Sequence, residues 1–336
     1  MKNELVALAR SLGFSDARIA TADNPRHAAE FRQWLADGCH GGMEWLARNA
    51  DRRTQPDLVQ PGARSVIALS LPYFQGGPPS AIARYAWGDD YHELIEQKLR
   101  ALDEWLRARG GTQRCYVDTG PVLERDFAAD AGIGWHGKST MLLNRTGTWF
   151  FLAEILTTLE FPPDEPATNH CGSCTRCITA CPTGAITAPH HLDARLCISY
   201  LTIEHHGPIP EALRPLFGGR IYGCDACLEA CPWNRFAATS SEMAFAARDY
   251  VHDWKLRDFL ALDDEAFRTL FRKSPIKRIK RARFLRNVCV ALGNVGTPDD
   301  LPALLNAVQD ADPLIAEHAR WAIREIAKKN SLSEPS

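Results

Sequence analysis

A chain of 336 residues, 45% of them hydrophobic, is long enough for about two or three domains with packed cores. Its 39 basic and 41 acidic residues leave a formal charge of −2, so overall charge names no partner. No apolar run approaches the length of a membrane span, and the first ten residues carry charges in place of an apolar signal core or twin arginines. The sequence therefore reads as that of a cytoplasmic protein.

Met1 to Arg10 has the spacing of an amphipathic helix. Ser65 to Leu71 is a short apolar run, expected as a buried strand. Asp89 to Arg109 follows helical spacing, with Leu94, Ile95, Leu99, Leu102, Trp105 and Leu106 on one side and Gly110-Gly111 as the stop. Arg114 to Asp118 reads as a strand closed by a Thr119-Gly120-Pro121 turn. Trp149 to Leu159 fits a strand or a buried helix. This alternation predicts a mixed α/β or α+β domain over residues 1–160. It contains no dinucleotide fingerprint. The run Gly132-Ile-Gly-Trp-His-Gly-Lys-Ser139 lacks the glycine gap of a nucleotide phosphate loop.

Three prolines in Phe161-Pro-Pro-Asp-Glu-Pro166 mark a boundary. Beyond it, residues 161–245 hold eight of the 11 cysteines. The run Cys171-x2-Cys174-x2-Cys177-x3-Cys181-Pro182 has bacterial ferredoxin spacing, in which the fourth cysteine crosses to the other cluster. The second run is Cys224-x2-Cys227-x3-Cys231-Pro232. It lacks the expected cysteine at Ile221, and Cys197 is the nearest substitute. The reading is two [4Fe–4S] clusters. Cys171, Cys174, Cys177 and Cys231 hold one; Cys181, Cys197, Cys224 and Cys227 hold the other. Without Cys197 the second site has three cysteines and becomes a [3Fe–4S] or open-iron site. A disulfide framework suits short secreted chains, and one zinc needs fewer cysteines than this. Cys39, Cys115 and Cys289 stand singly among apolar residues and read as structural thiols.

Residues 246–336 read as helical. Trp254–Leu260 and Asp263–Phe271 precede a helix over Arg283–Leu292. Two more helices, split at Asp312-Pro313, resemble one HEAT-type repeat. Arg272, Lys273, Lys277, Arg278, Lys280, Arg281, Arg283 and Arg286 form a basic run without an acid, a pattern that suits a phosphate backbone.

Several motifs together carry a resemblance. They are Arg84-Tyr-Ala-Trp-Gly-Asp-Asp-Tyr-His92, Val117-Asp-Thr-Gly120, Ala131-Gly-Ile-Gly-Trp-His-Gly-Lys138 and Gly147-Thr-Trp-Phe-Phe-Leu-Ala-Glu154. The two cysteine runs, Cys197-Ile-Ser-Tyr-Leu-Thr-Ile-Glu204 and Arg286-Asn-Val-Cys-Val-Ala-Leu-Gly-Asn294 complete the set. From end to end the chain resembles the epoxyqueuosine reductases, cobalamin-dependent enzymes that finish queuosine in tRNA. The resemblance implies a cobalamin-binding domain like that of reductive dehalogenases, a two-cluster ferredoxin domain and a C-terminal HEAT-like domain for the RNA. It implies that Asp118 is the acid that protonates the opening epoxide, with its pKa raised by burial against corrin and substrate. By position, Arg53, Ala83, Asp118, Lys138, Ser139 and Ser199 are expected to contact cobalamin. Arg84, Tyr85 and Tyr91 are placed toward the substrate. Lys277, Arg278, Lys280 and Arg281 are expected on the anticodon stem-loop. No histidine stands out as a cobalt ligand. The electron donor is not implied, and a monomer is expected. A reductive dehalogenase would share the cofactors but has no use for a basic helical tail. A plain electron carrier would not need the N-terminal domain.

Overall fold

The computed structural model describes residues 1–330. Helix α1 (Lys2–Ser11) buries Leu5 and Ala9, and strand β1 (Asp16–Thr21) follows. Three short helices, α2 (Ala28–Ala36), α3 (Glu44–Arg48) and α4 (Ala50–Thr54), lead to β2 (Ser65–Pro72). The long helix α5 (Tyr91–Arg107) starts at Asp90, whose side chain accepts the His92 N–H, an N-cap bond. Strand β3 (Gln113–Tyr116), helix α6 (Glu124–Asp130), a small hairpin of β4 (Trp135–His136) with β5 (Leu142–Leu143), and β6 (Phe150–Thr157) complete this part.

The main sheet has the order β1-β2-β6-β3, and every pairing is antiparallel. The alternation of elements in sequence therefore does not make a parallel sheet. The last strand, β6, inserts between β2 and β3. Alternate β6 residues face opposite sides. Phe151, Ala153 and Ile155 join a core with Leu5, Ile95, Leu99 and Leu102 of α1 and α5. Leu156 joins Ala68, Phe127 and Ala128 on the α6 side. Glu154 shares the parity of Leu156, so a fully buried carboxyl lies on that second face.

The cysteine region carries α7 (Arg176–Thr179), a ribbon of β7 (Ile186–Ala188) with β8 (His191–Leu192), α8 (Ile198–Ile203) and α9 (Ala226–Glu229). The C-terminal part is helical: α10 (Asp264–Leu270), α11 (Lys280–Val295), α12 (Leu301–Val308) and α13 (Pro313–Asn330). Helix α11 packs on α13 so closely that a Cβ on Gly293 would stand 2.3 Å from the Trp321 ring. One core joins Ile82, Ala86 and Trp87 to Leu201, Tyr222, Phe284 and Trp321, so segments from all three parts of the chain share it.

Arg286 fixes that junction. Its guanidinium is fully buried and donates to the carbonyls of Leu201 (2.7 Å), His205 (2.8 Å) and Gly207 (2.7 Å). The neighbouring Asn287 donates to Thr202 and Ile221, both at 2.9 Å. Together they tie α11 to the segments beside Cys197 and Cys224. Arg286→Ala strands several buried acceptors, and a loss of about 3 kcal/mol or more is expected in denaturant unfolding of the cluster-loaded protein. A change below about 0.5 kcal/mol would show that the buried fork is dispensable.

Candidate active site and cluster region

The eight thiols of residues 171–231 are partly buried and fall into two electrostatic groups. Cys177 is pushed up by burial and by Cys171 and Cys174. Cys231 is raised by burial, with Cys171, Cys177 and Cys174 adding to it. Cys227 is raised by burial and by Cys224, Cys197 and Cys181. Burial and Cys181 also raise Cys197. Cys197 is felt within the second group, with Cys181, Cys224 and Cys227. Four facing thiolates repel one another, a cost that bound iron removes. The Cys181 sulfur accepts the Ala185 N–H at 3.2 Å, a contact of the kind that tunes cluster potential.

The catalytic candidate sits just after β3. Asp118 has φ +57°, a left-handed conformation that costs a non-glycine residue about 1 kcal/mol. Strain of this kind gathers at functional turns. The Tyr91 hydroxyl donates to Asp118 Oδ2 at 2.6 Å, and Tyr91 stacks on Phe151 with centroids 4.1 Å apart. His92 Nε2 lies 3.6 Å from the same oxygen, while its Nδ1 is 2.7 Å from Asp90.

This setting inverts the expectation for Asp118. Burial pushes its carboxyl up, but His92 and Tyr91 outweigh that and hold it below the usual range. Burial lowers the His92 imidazole, yet Asp118 and Asp90 carry it up to about 9. At neutral pH the free protein therefore holds an aspartate–imidazolium pair, with the proton on His92. Behind the pair, burial and then Asp118 raise Glu124 to about 7. Glu154 is raised well above the carboxylate range by burial, then by Glu124 and Asp118. Neither Glu154 oxygen has a hydrogen-bond partner, so this carboxyl is neutral. His92, Glu124 and Glu154 were not singled out from sequence. His92 was the visible one, lying inside the Asp-Tyr-His segment.

The expected cofactor contacts are placed unevenly. Arg53 is buried, donates to the Val122 carbonyl at 3.1 Å and leaves Nε without a partner. The charges of Glu124 and Asp118 both act on it. Ala83 abuts Gly223, next to Cys224, and its N–H donates to Tyr222 at 2.8 Å. Lys138 does not point freely into the site. Its ammonium donates to the carbonyls of Gly172 (2.7 Å) and Cys174 (3.0 Å). Ser139 is buried beside it, and Ser199 is half-buried in α8. Arg84 is a buried clamp, bonded to Glu229 and to the carbonyls of Gly76 and Gly77, and so does not face a substrate. Tyr85 and Tyr91 do lie together, edge to face at 6.1 Å.

The basic run also divides. Arg281 is turned inward onto Asp310 and the Leu262 carbonyl. Arg283 donates to Ile203 and Ile279, and Arg286 is buried as described. Arg272, Lys273, Lys277, Arg278 and Lys280 remain exposed. Arg278 pairs with Glu204 at 2.7 Å, and its charge reaches Asp118, Asp90 and Tyr222. It links the basic face to the Asp118 turn. Among the described residues no helix is long and apolar enough to cross a membrane.

Two family matches cover these regions. The family described as "Epoxyqueuosine reductase QueG, DUF1730" matches residues 53–119, and the 4Fe-4S double cluster binding domain matches residues 170–234. An epoxyqueuosine reductase of Xanthomonas campestris pv. campestris is 44% identical over 333 residues, covering 95% of this chain and 94% of the relative. A crystal structure of an epoxyqueuosine reductase with a tRNA-Tyr epoxyqueuosine-modified stem loop is 30% identical, with a TM-score of 0.88 over 97% of this chain and 90% of that one. The Bacillus subtilis enzyme, solved with its catalytic aspartate loop swung out of the active site, gives the same TM-score, identity and coverage. This chain is an oxidoreductase with a double 4Fe–4S domain, and it belongs to the epoxyqueuosine reductase family.

Proposed function

We propose that this protein removes the epoxide oxygen of epoxyqueuosine at the wobble position of a tRNA anticodon, giving queuosine. Both C–O bonds of the epoxide break, two electrons and two protons enter, and an alkene and water leave. The observation that carries this reading is the Asp118 turn, with its charged His92, joined through Arg278 to an exposed basic face. The direct test is tRNA containing epoxyqueuosine, incubated anaerobically with cluster-loaded protein, cobalamin and a strong chemical reductant. The nucleoside mass should fall by one oxygen. No loss of oxygen under full reduction would sink the proposal.

Each residue set has a task. Cys171, Cys174, Cys177 and Cys231 hold one cluster, and Cys181, Cys197, Cys224 and Cys227 the other. They relay single electrons from a low-potential donor yet to be identified. Cobalamin fits the turn, because Arg53 Nε and His92 Nε2 are buried there without hydrogen-bond partners. The amide groups around a corrin can satisfy such atoms. When bound, cobalamin supplies a strongly reducing centre for the epoxide carbon. Arg53, Ala83, Asp118, Ser139 and Ser199 would line it. Lys138 would act from behind by holding the β4–β5 hairpin to the first cysteine run. Asp118 holds the epoxide oxygen and passes it the proton stored on His92, so the alkoxide never stands bare. Glu154 stands behind Asp118 with its proton at neutral pH, and Glu124, raised to about 7, is divided between its two forms there. The three C-terminal helices α11, α12 and α13 act as a HEAT-like module for the RNA. A tRNA substrate and oxygen-sensitive clusters both suit a reducing cytoplasm.

The His92 proton sets a pH limit. His92 has a folded pKa of about 9, so the store is full below neutrality and empties as pH rises through 9. Turnover should fall across that range, and His92→Asn should remove the limb while lowering the plateau. An unchanged profile in His92→Asn would take the histidine out of the proton path.

The exposed cations give a second expectation. Lys277→Ala, Arg278→Ala and Lys280→Ala combined should weaken stem-loop binding and reduce its log–log salt slope by about 2. Arg281 is left intact, because its ion pair with Asp310 holds the fold. Equal slopes for wild type and the triple variant would move the RNA to another face.

A further inference from the structure

A cluster of side chains stands apart from the catalytic turn and the cysteines. His27 precedes α2, Asp126 lies in α6, and His136 ends β4. Among the described residues, the donor atoms of these three lie within 4.8 Å of one another. Asp126 is 5% exposed, whereas His27 is 42% exposed and opens the site to water. Asp126 Oδ2 accepts the His27 backbone N–H at 2.9 Å, which fixes the carboxylate and aims Oδ1 at both rings. His27 Nδ1 is 2.8 Å from that oxygen and His136 Nε2 is 3.0 Å from it.

Two observations separate this set from an ordinary hydrogen-bonded bridge. The His136 Nε2 atom is buried and, despite its 3.0 Å approach to Oδ1, has no hydrogen-bond partner. The rings meet edge to face, 4.9 Å apart at 74°, as donors converging on a point would. Asp130, the next carboxylate along α6, is already held by Arg26 and stands outside the set.

We propose that His27 Nδ1, Asp126 Oδ1 and His136 Nε2 bind one first-row divalent cation, with water in the remaining position. Two imidazoles and one carboxylate are a donor set that suits zinc and its neighbours. With bonds of about 2.1 Å, a tetrahedral site wants donors about 3.4 Å apart, and a modest rotation of the exposed His27 ring reaches that spacing. The cation joins three separate segments: the approach to α2, helix α6, and the hairpin that bears Lys138 and Ser139. It acts as a clasp on that hairpin, independent of the redox centres.

The test uses full-length protein with both clusters loaded and cobalamin left out, so that cobalt does not confuse the metal count. The protein is titrated with zinc sulfate, freed of loose metal by gel filtration, and analysed for zinc per chain. Wild type should retain about one zinc and gain thermal stability. His27→Ala and His136→Ala should each bind more than about 100-fold more weakly, with cluster absorbance unchanged. No retained zinc in wild type would overturn the proposal and leave a hydrogen-bonded bridge only. Equal zinc in wild type and His27→Ala would also overturn it, by placing the metal on other ligands. If His136→Ala loses its clusters, the half-exposed His27→Ala variant alone decides.

Discussion

Asp118→Asn is expected to lower turnover about 100- to 10,000-fold, while iron content and stem-loop affinity stay near wild type. Asparagine keeps the left-handed turn, because its short polar side chain tolerates φ +57° as aspartate does. It can still accept from Tyr91. What it cannot do is take a proton from His92 and give it to the epoxide oxygen. It also removes one of the two carboxylates that raise His92, so the imidazole falls toward its ordinary value while Asp90 still holds it up. A single amide thus disables the donor and weakens its reserve. Turnover within about threefold of wild type would end the assignment.

Cys197→Ala is the second large effect. The ferredoxin-type runs supply seven of the eight thiols, and Cys197 stands alone at the start of α8. Its sulfur is felt by Cys224 and Cys227, the thiols it would have to join. Cys39, a buried cysteine whose carbonyl accepts the Ala194 N–H, is influenced by Asp193, Arg195 and Asp37 and by no cluster cysteine. Removing Cys197 should cost at least about one iron per chain and stop turnover driven from the external reductant. Folding should survive, because the group is a thiol that packs partly against the C-terminal core. Full iron and full turnover would place the eighth ligand elsewhere.

Much of the architecture was legible in the amino-acid pattern. The β2 run, the α5 stripe and the Asp-Pro break before α13 all follow from periodicity and turn chemistry, within a few residues. Strand β1 was missed because Asp16-Ala-Arg-Ile-Ala-Thr21 is short and carries charges on its open face. The antiparallel sheet was not evident, since strand order depends on long-range pairing and β6 reaches back between β2 and β3. The two cysteine runs were legible because most ferredoxin-type cysteines are local in sequence, whereas Cys197 lies outside both runs. The proton set was hidden for the opposite reason. His92, Asp118, Glu124 and Glu154 come from four separate elements, and only burial makes Glu154 neutral. The basic run was the most misleading signal. Its charges looked alike in sequence, yet Arg281, Arg283 and Arg286 point inward to carbonyls and an acid, while Lys277 and Lys280 face solvent.

The Lys138 contact has a consequence for biogenesis. Its ammonium grips the backbone of the first cysteine run through Gly172 and Cys174. On the other side, the Arg84 N–H holds the Asp225 carboxylate within the second run at 2.7 Å. On the proposed reading both loops wrap iron, and these two bonds tie them to segments placed beside the corrin, so iron loading is expected to precede stable corrin binding.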